Sequence, residues 1–216
     1  EGVLAKYDAQ RDLEVVSFGA TPAELTTVLA ARADLSGAKL SNAFVVQADF
    51  TDAILKGARL NRADLRNTVL TGADMSDADL SDCNLSGAVM QGAMLSGATW
   101  SNAVLDGADL RGAAIDPEAL DTAYFRSAKM PQPLTDLGRS LGEVISEHLA
   151  WVESSGAEGR QAVLSDVNLS GQDLRGANLA AAKLDRCILL ESNFSGADLT
   201  MSDLSLADAR GGNFIQ

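Results

Sequence analysis

Three groups of residues have side chains capable of chemistry. His148 is the only histidine and lies beside Trp151 in the run His148-Leu149-Ala150-Trp151-Val152-Glu153. A catalytic base or metal ligand needs a second histidine, a nucleophile or a carboxylate set at fixed spacing, and none accompanies it, so it reads as a packing residue or a helix-terminal cation. Asp74, Asp77, Asp79 and Asp82 form a dense acidic run that acid–base work or a divalent cation would require, yet nothing nearby signals carbonyl ligands or partner donors. Cys83 and Cys187 are widely separated and form no disulfide framework. The sequence contains no Gly-rich phosphate loop, Gly-x-Ser-x-Gly elbow or His-Glu-x-x-His motif. These residues therefore point away from an enzyme and call for no catalytic residue, cofactor or metal.

Composition narrows the choice further. The 216 residues carry 30 Asp+Glu against 17 Lys+Arg, a formal net charge of −13 that disfavours direct binding to nucleic acid or to an anionic membrane. Hydrophobic residues make up 46% and aromatic ones 5%, so the core must be built from small and medium aliphatic groups. No run of apolar residues is long enough to span a membrane and no signal peptide is visible, which with the sparse cysteine usage predicts a reducing, cytoplasmic location. The chain opens on Glu1 rather than Met, as a processed chain or an excised piece of a longer one would.

What must position all these residues is a repeat of five. Ala33-Asp34-Leu35, Ala48-Asp49-Phe50, Ala63-Asp64-Leu65, Ala78-Asp79-Leu80 and Ala108-Asp109-Leu110 share one register. Every multiple of five from 35 to 115 is Leu, Val, Phe, Met, Trp or Ile, and the residue two before it is Ala except at Thr68 and Cys83. A second array, from residue 161 to 216, has its centres at Leu164, Leu169, Leu174, Leu179, Leu184, Leu189, Phe194, Leu199, Leu204, Ala209 and Phe214. This period matches neither a helix nor a plain strand, so each quintet must turn the chain. Ala and the central residue point inward around one outward polar residue, and the next two, as in Ser36-Gly37 or Ser101-Asn102, form a corner. Four corners close a square coil of about 20 residues, and coils stack at about 4.8 Å through parallel ladders.

These quintets resemble the pentapeptide-repeat family, whose unit reads Ala, Asp or Asn, Leu, then two variable residues. The resemblance implies an all-β repeat fold, a right-handed four-sided parallel β-solenoid, here in two arrays with a short N-terminal helix and a helical insertion. The expected organisation is an N-terminal segment over 1–32, a first array over 33–117, a helical connector over 118–160 and a second array over 161–216. Thr21, Pro22 and Glu24 predict a capping helix over 21–32 that shields the open end. Leu13 to Phe18 predicts an irregular strand. In the connector, Leu134, Leu137, Leu141, Val144, Ile145, Leu149 and Val152 recur at helical spacing and predict one amphipathic helix ending at Gly156. It should dock within the chain, with the end of either array a better match than an outer face of the first array, leaving Glu143 and Glu147 in solvent. Cys83 and Cys187 fall at the small inward position and read as core residues.

Function must then reside on the outside. A coil of 20 residues stacks Arg59 on Asp79 and Arg62 on Asp82 as ladder ion pairs. Phe44, Val46, Ile54, Val69, Val89, Met94 and Val104 place apolar groups where Asp, Asn, Ser or Thr is usual, which predicts a non-enzymatic scaffold binding an as yet unidentified protein partner. An end-to-end or helix-mediated homodimer is a further arrangement that open ends and an apolar helix permit. The resemblance implies one alternative: some family members imitate DNA and bind type II topoisomerases such as gyrase, giving quinolone resistance. Against it, eleven acidic residues face six basic ones between 33 and 117, and Lys56, Arg59, Arg62 and Arg66 form a cationic belt. The quintet centres are also mostly Leu, where the gyrase-binding type favours Phe.

Overall fold

The computed structural model describes residues 4–7, 13–16, 25–120 and 123–215. The chain divides into two compact units, one of Glu1–Leu110 with Ala114–Lys129 and one of Arg111–Ala113 with Met130–Gln216.

In the first unit, β1 (Leu4–Tyr7) and β2 (Leu13–Val16) form an antiparallel hairpin with Leu4 opposite Val16. From Leu25 onward, each outward residue pairs in parallel with the residue twenty later: Asp34 with Ile54, Ile54 with Asp74, Arg59 with Asp79, Val69 with Val89. Each quintet is therefore one side of a four-sided coil. The ladder is continuous on every side; Leu35 N–H donates to Ile54 O at 2.7 Å and Ile54 N–H returns to Ala33 O at 2.9 Å. Corners close when the inward residue donates to the central carbonyl three residues earlier, as Ala38 N–H does to Leu35 O at 3.0 Å. The second corner residue then takes a positive φ, 61° at Asn42 and 71° at Gly97, which explains the Asn, Asp and Gly found there. At Gly97 a Cβ would also collide with the Asp77 carboxylate in the coil below, so that corner has a second reason for glycine.

The interior is a column of Leu, Met, Phe and Ala. Leu65, Leu85, Met75 and Leu80 are fully buried. Where Ala is replaced, the inward polar atom finds a backbone carbonyl: Thr68 Oγ1 donates to Leu65 O at 2.7 Å and Cys83 Sγ to Leu60 O at 2.7 Å.

Three expectations need correction. Residues 25–32 are not helical but already two quintets, with Leu25, Val28 and Ala30 buried and Thr27 and Arg32 at positive φ. Their helical propensity yields to the ladder, since Leu25 N–H donates to Phe44 O at 2.6 Å and Ala30 N–H to Asp49 O at 2.7 Å. Thr21, Pro22 and Glu24 lie outside the described residues. At the other end the ladder passes residue 117: a short helix, α1 (Pro117–Leu120), replaces one side, and Asp109 pairs with Lys129. Phe125, in a 3₁₀ turn over Ala123–Ser127, is buried with its ring edge-on to Trp100 at 5.2 Å.

The third correction lies in the second unit. The apolar stripe from Leu134 to Val152 is two elements, a 3₁₀ turn over Leu134–Leu137 and a helix, α2 (Leu141–Glu153). Gly138 at φ 67° ends the first, and Ser140 begins the second with a capping box: its Oγ accepts Glu143 N–H at 3.2 Å while its own N–H donates to Glu143 Oε2 at 2.8 Å. Just before them, β3 (Gln132–Pro133) pairs in parallel with β4 (Val167–Asn168). The helix docks inside the chain, on the array that follows it. Val144 joins Ala162, Leu164, Leu169, Leu174 and Leu179 in one core, with Leu137, Leu141 and Ile145 packed against it. That array runs in its own register, with Val163 paired to Lys183 and Ile188 to Asp208.

Candidate partner-binding surface

The outward residue of each quintet governs both folding and surface chemistry. Where it is Asp or Asn, its side chain bends over the corner and accepts the N–H two residues on: Asp49 Oδ1 from Thr51 at 2.9 Å, Asp74 from Ser76 at 3.0 Å, Asn84 from Ser86 at 3.1 Å, Asn168 from Ser170 at 3.0 Å. Asp and Asn serve equally, so the role needs an oxygen and not a charge. Hydrogen bonds from Ser81, with help from Thr99 and Arg59, hold the Asp79 carboxyl below the usual range, and hydrogen bonds from Ser36 do the same for Asp34.

The acidic run is accordingly built into corners. Asp79 also accepts the Thr99 hydroxyl at 3.0 Å, and Asp82 accepts from Asn102 Nδ2 at 3.0 Å while Arg62 Nε lies 3.6 Å from its other oxygen. The expected Arg62–Asp82 ladder pair is present. Arg59 sits one rung from Asp79 but makes no ion pair with it, and the Asp79 Oδ1 accepts from Ser81 and Thr99 instead. Among the described residues no cluster of His, Cys, Asp or Glu could hold a metal ion. Burial pushes both Cys83 and Cys187 up to about 12, which leaves neither thiol nucleophilic at neutral pH.

Six of the seven apolar candidates fall on three sides of the coil and the seventh at a corner. Phe44 and Val104 share one side, with Asp64 and Asn84 on the rungs between them. Ile54 and Met94 share another, separated by Asp74. Val69 and Val89 are direct ladder neighbours, both half-buried, and Val46 lies half-buried at a corner. Val46 therefore lies off the side that carries Phe44 and Val104. Exposure singles out four of them: Phe44 at 49%, Met94 at 45%, Val104 at 42% and Ile54 at 41%. Leu29, 70% exposed on the Val69 side, belongs with them. It stands five residues before Asp34, so its outward place would have followed from extending the five-residue register below residue 33; reading 21–32 as a helix concealed it.

The repeats match a known family. The Pentapeptide repeats family matches residues 31–67, 48–87, 83–116, 162–200 and 187–216, more than half of the chain. No curated protein matches it. Among solved structures, alr5209, a pentapeptide repeat protein from Nostoc Pcc 7120, is 34% identical over 41% of this chain and 82% of its own, with a TM-score of 0.38. HetL, a pentapeptide repeat protein of Nostoc sp. strain PCC 7120 involved in heterocyst differentiation regulation, is 24% identical over 89% of this chain and 78% of its own, at a TM-score of 0.40. QnrB1, a plasmid-mediated fluoroquinolone resistance protein, is 17% identical over 90% of this chain and 83% of its own, at 0.41. The repeat ladder and the family match together make this chain a member of the pentapeptide-repeat family of right-handed β-solenoids.

Proposed function

We propose that the protein is a non-enzymatic scaffold that binds a protein partner through the sides of its first repeat unit. One observation carries this reading. At Phe44, Ile54, Met94 and Val104 the chain gives up the side-chain oxygen that caps a corner and exposes over two fifths of a large apolar group instead. Each exchange loses about 0.5–1.5 kcal/mol of hydrogen bonding and leaves over two fifths of the apolar group in solvent. Positions that break a local folding rule without compensation mark function. The spread over two sides suits a partner that wraps the coil or two partners on different sides.

The test is retention of a partner from an extract of the native cell by immobilised wild type and by the variant Phe44→Asn, Ile54→Asn, Met94→Asn, Val104→Asn. A protein held by the wild type and lost by the equally folded variant is the expected result. An identical retained set would overturn the reading.

A further inference from the structure

We propose that α2 is an acid-released lid on the first coil of the second array, with His148 as its latch. At other corners the inward N–H donates to a carbonyl three residues earlier, as Ala182 does to Leu179 at 2.9 Å and Ala197 to Phe194 at 2.9 Å. Ala162 opens its array and donates instead to His148 Nδ1 at 3.0 Å. The imidazole thus stands in for a corner carbonyl. It is completely buried and stacked on Trp151, with centroids 5.6 Å apart and planes at 15°.

An accepting Nδ1 carries no proton, so the neutral ring keeps its hydrogen on Nε2, a buried atom with no hydrogen-bond partner among the described residues. A second proton would go to Nδ1, where it would oppose the Ala162 N–H, and the charge would be buried. Among the described residues no carboxylate compensates it. On α2, Glu147 is bound to Arg139 at 2.6 Å, Glu143 caps Ser140, and Glu153 is exposed. On the loop after α2, Glu158 and Arg160 are exposed. On the array, Arg186 holds Asp166 and Asp185 at 2.6 Å each, Asp173 is paired with Arg175, and Lys183 is exposed. Asp136, in the 3₁₀ turn before α2, is exposed as well. Burial accordingly pushes the imidazole below its ordinary value, opposed in part by the Ala180 and Leu179 backbone.

The sign follows. A released His148 takes up its proton near 6.5 and the latched one only at lower pH, so closure is complete above 6.5 and is lost as pH falls below it. With one histidine in the chain, no other side chain of ordinary pKa titrates between about pH 7 and 5. Release uncovers the apolar end of the column at Ala162 and Leu164, against which Val144 of α2 packs.

Hydrogen exchange of the full chain, corrected for intrinsic rates, tests this. Between about pH 7.5 and pH 5, exchange across 141–153 and at Ala162 should rise by about tenfold for each unit of pKa difference, while 182–199 stays protected. His148→Gln, which keeps an acceptor that cannot titrate, should remove the pH dependence. Nitrogen chemical shifts of the wild-type imidazole, independent of any variant, should show an unprotonated Nδ1 at pH 7.5. A lid equally protected at both pH values, lid and array opening together, the same transition in His148→Gln, or a protonated Nδ1 at pH 7.5 would each overturn the proposal.

Discussion

The Cys83 thiol donates to the Leu60 carbonyl, 2.7 Å away in the preceding coil, and Cys187 repeats the contact with Leu164 at 2.9 Å. The two thiols occupy the place of Ala and each satisfies a backbone acceptor that the methyl group leaves to its neighbours. Both should resist a thiol reagent at pH 7.5 in the folded protein and react once it is denatured. Rapid labelling of the native chain would contradict their burial.

The twenty-residue coil places Leu65 and Leu85 in successive layers, with both side chains buried. Leu85→Asp would leave an unpaired charge in an aliphatic column, at a cost on the order of 4 kcal/mol. Thermal melting followed by circular dichroism should show a large loss of stability. An unchanged midpoint would remove the four-quintet coil.

Much of this fold was legible in the sequence because the repeat is local: a quintet names its own inward, outward and corner residues. The ends were harder to read. Residues 25–32 carry helix-forming Ala and Leu, and only pairing with 44–51 decides for the ladder. The break at Gly138 and the capping box of Ser140 and Glu143 were present as local signals beneath a longer apolar stripe. The latch was not legible, since nothing near His148 in the sequence points to Ala162. The candidate surface was legible as a set of residues but not as an arrangement, because the side each one occupies follows from its position within twenty residues and not within five.

Acid should weaken the protein in a second range below that of His148. Hydrogen bonds to Ser36, Arg66, Ser81, Arg175, Thr200 and Ser205 hold Asp34, Asp64, Asp79, Asp173, Asp198 and Asp203 below the ordinary 3.8. A depressed carboxylate stabilises the fold above its unfolded value and loses that contribution as pH falls through the folded one. Denaturant midpoints should therefore drop below about pH 4. A rise there would mean that relief of the −13 net charge outweighs the corner hydrogen bonds.

Supercoiling by a bacterial gyrase should be unaffected by micromolar protein. The carboxylates of Asp74 and Asp79 are engaged in corners, and Arg66 and Arg62 neutralise Asp64 and Asp82. Inhibition that disappears when Asp74, Asp77, Asp79 and Asp82 are changed to Lys would establish DNA imitation instead.

On the proposed reading, Phe44, Ile54, Met94 and Val104 serve binding and not folding. The melting midpoint of the fourfold Asn variant tests it most directly, because Asn restores the corner oxygen without adding charge, as Asn84 and Asn168 do. The expected midpoint equals or exceeds that of the wild type. A fall of several degrees would show that these side chains hold the ladder together, and would contradict it.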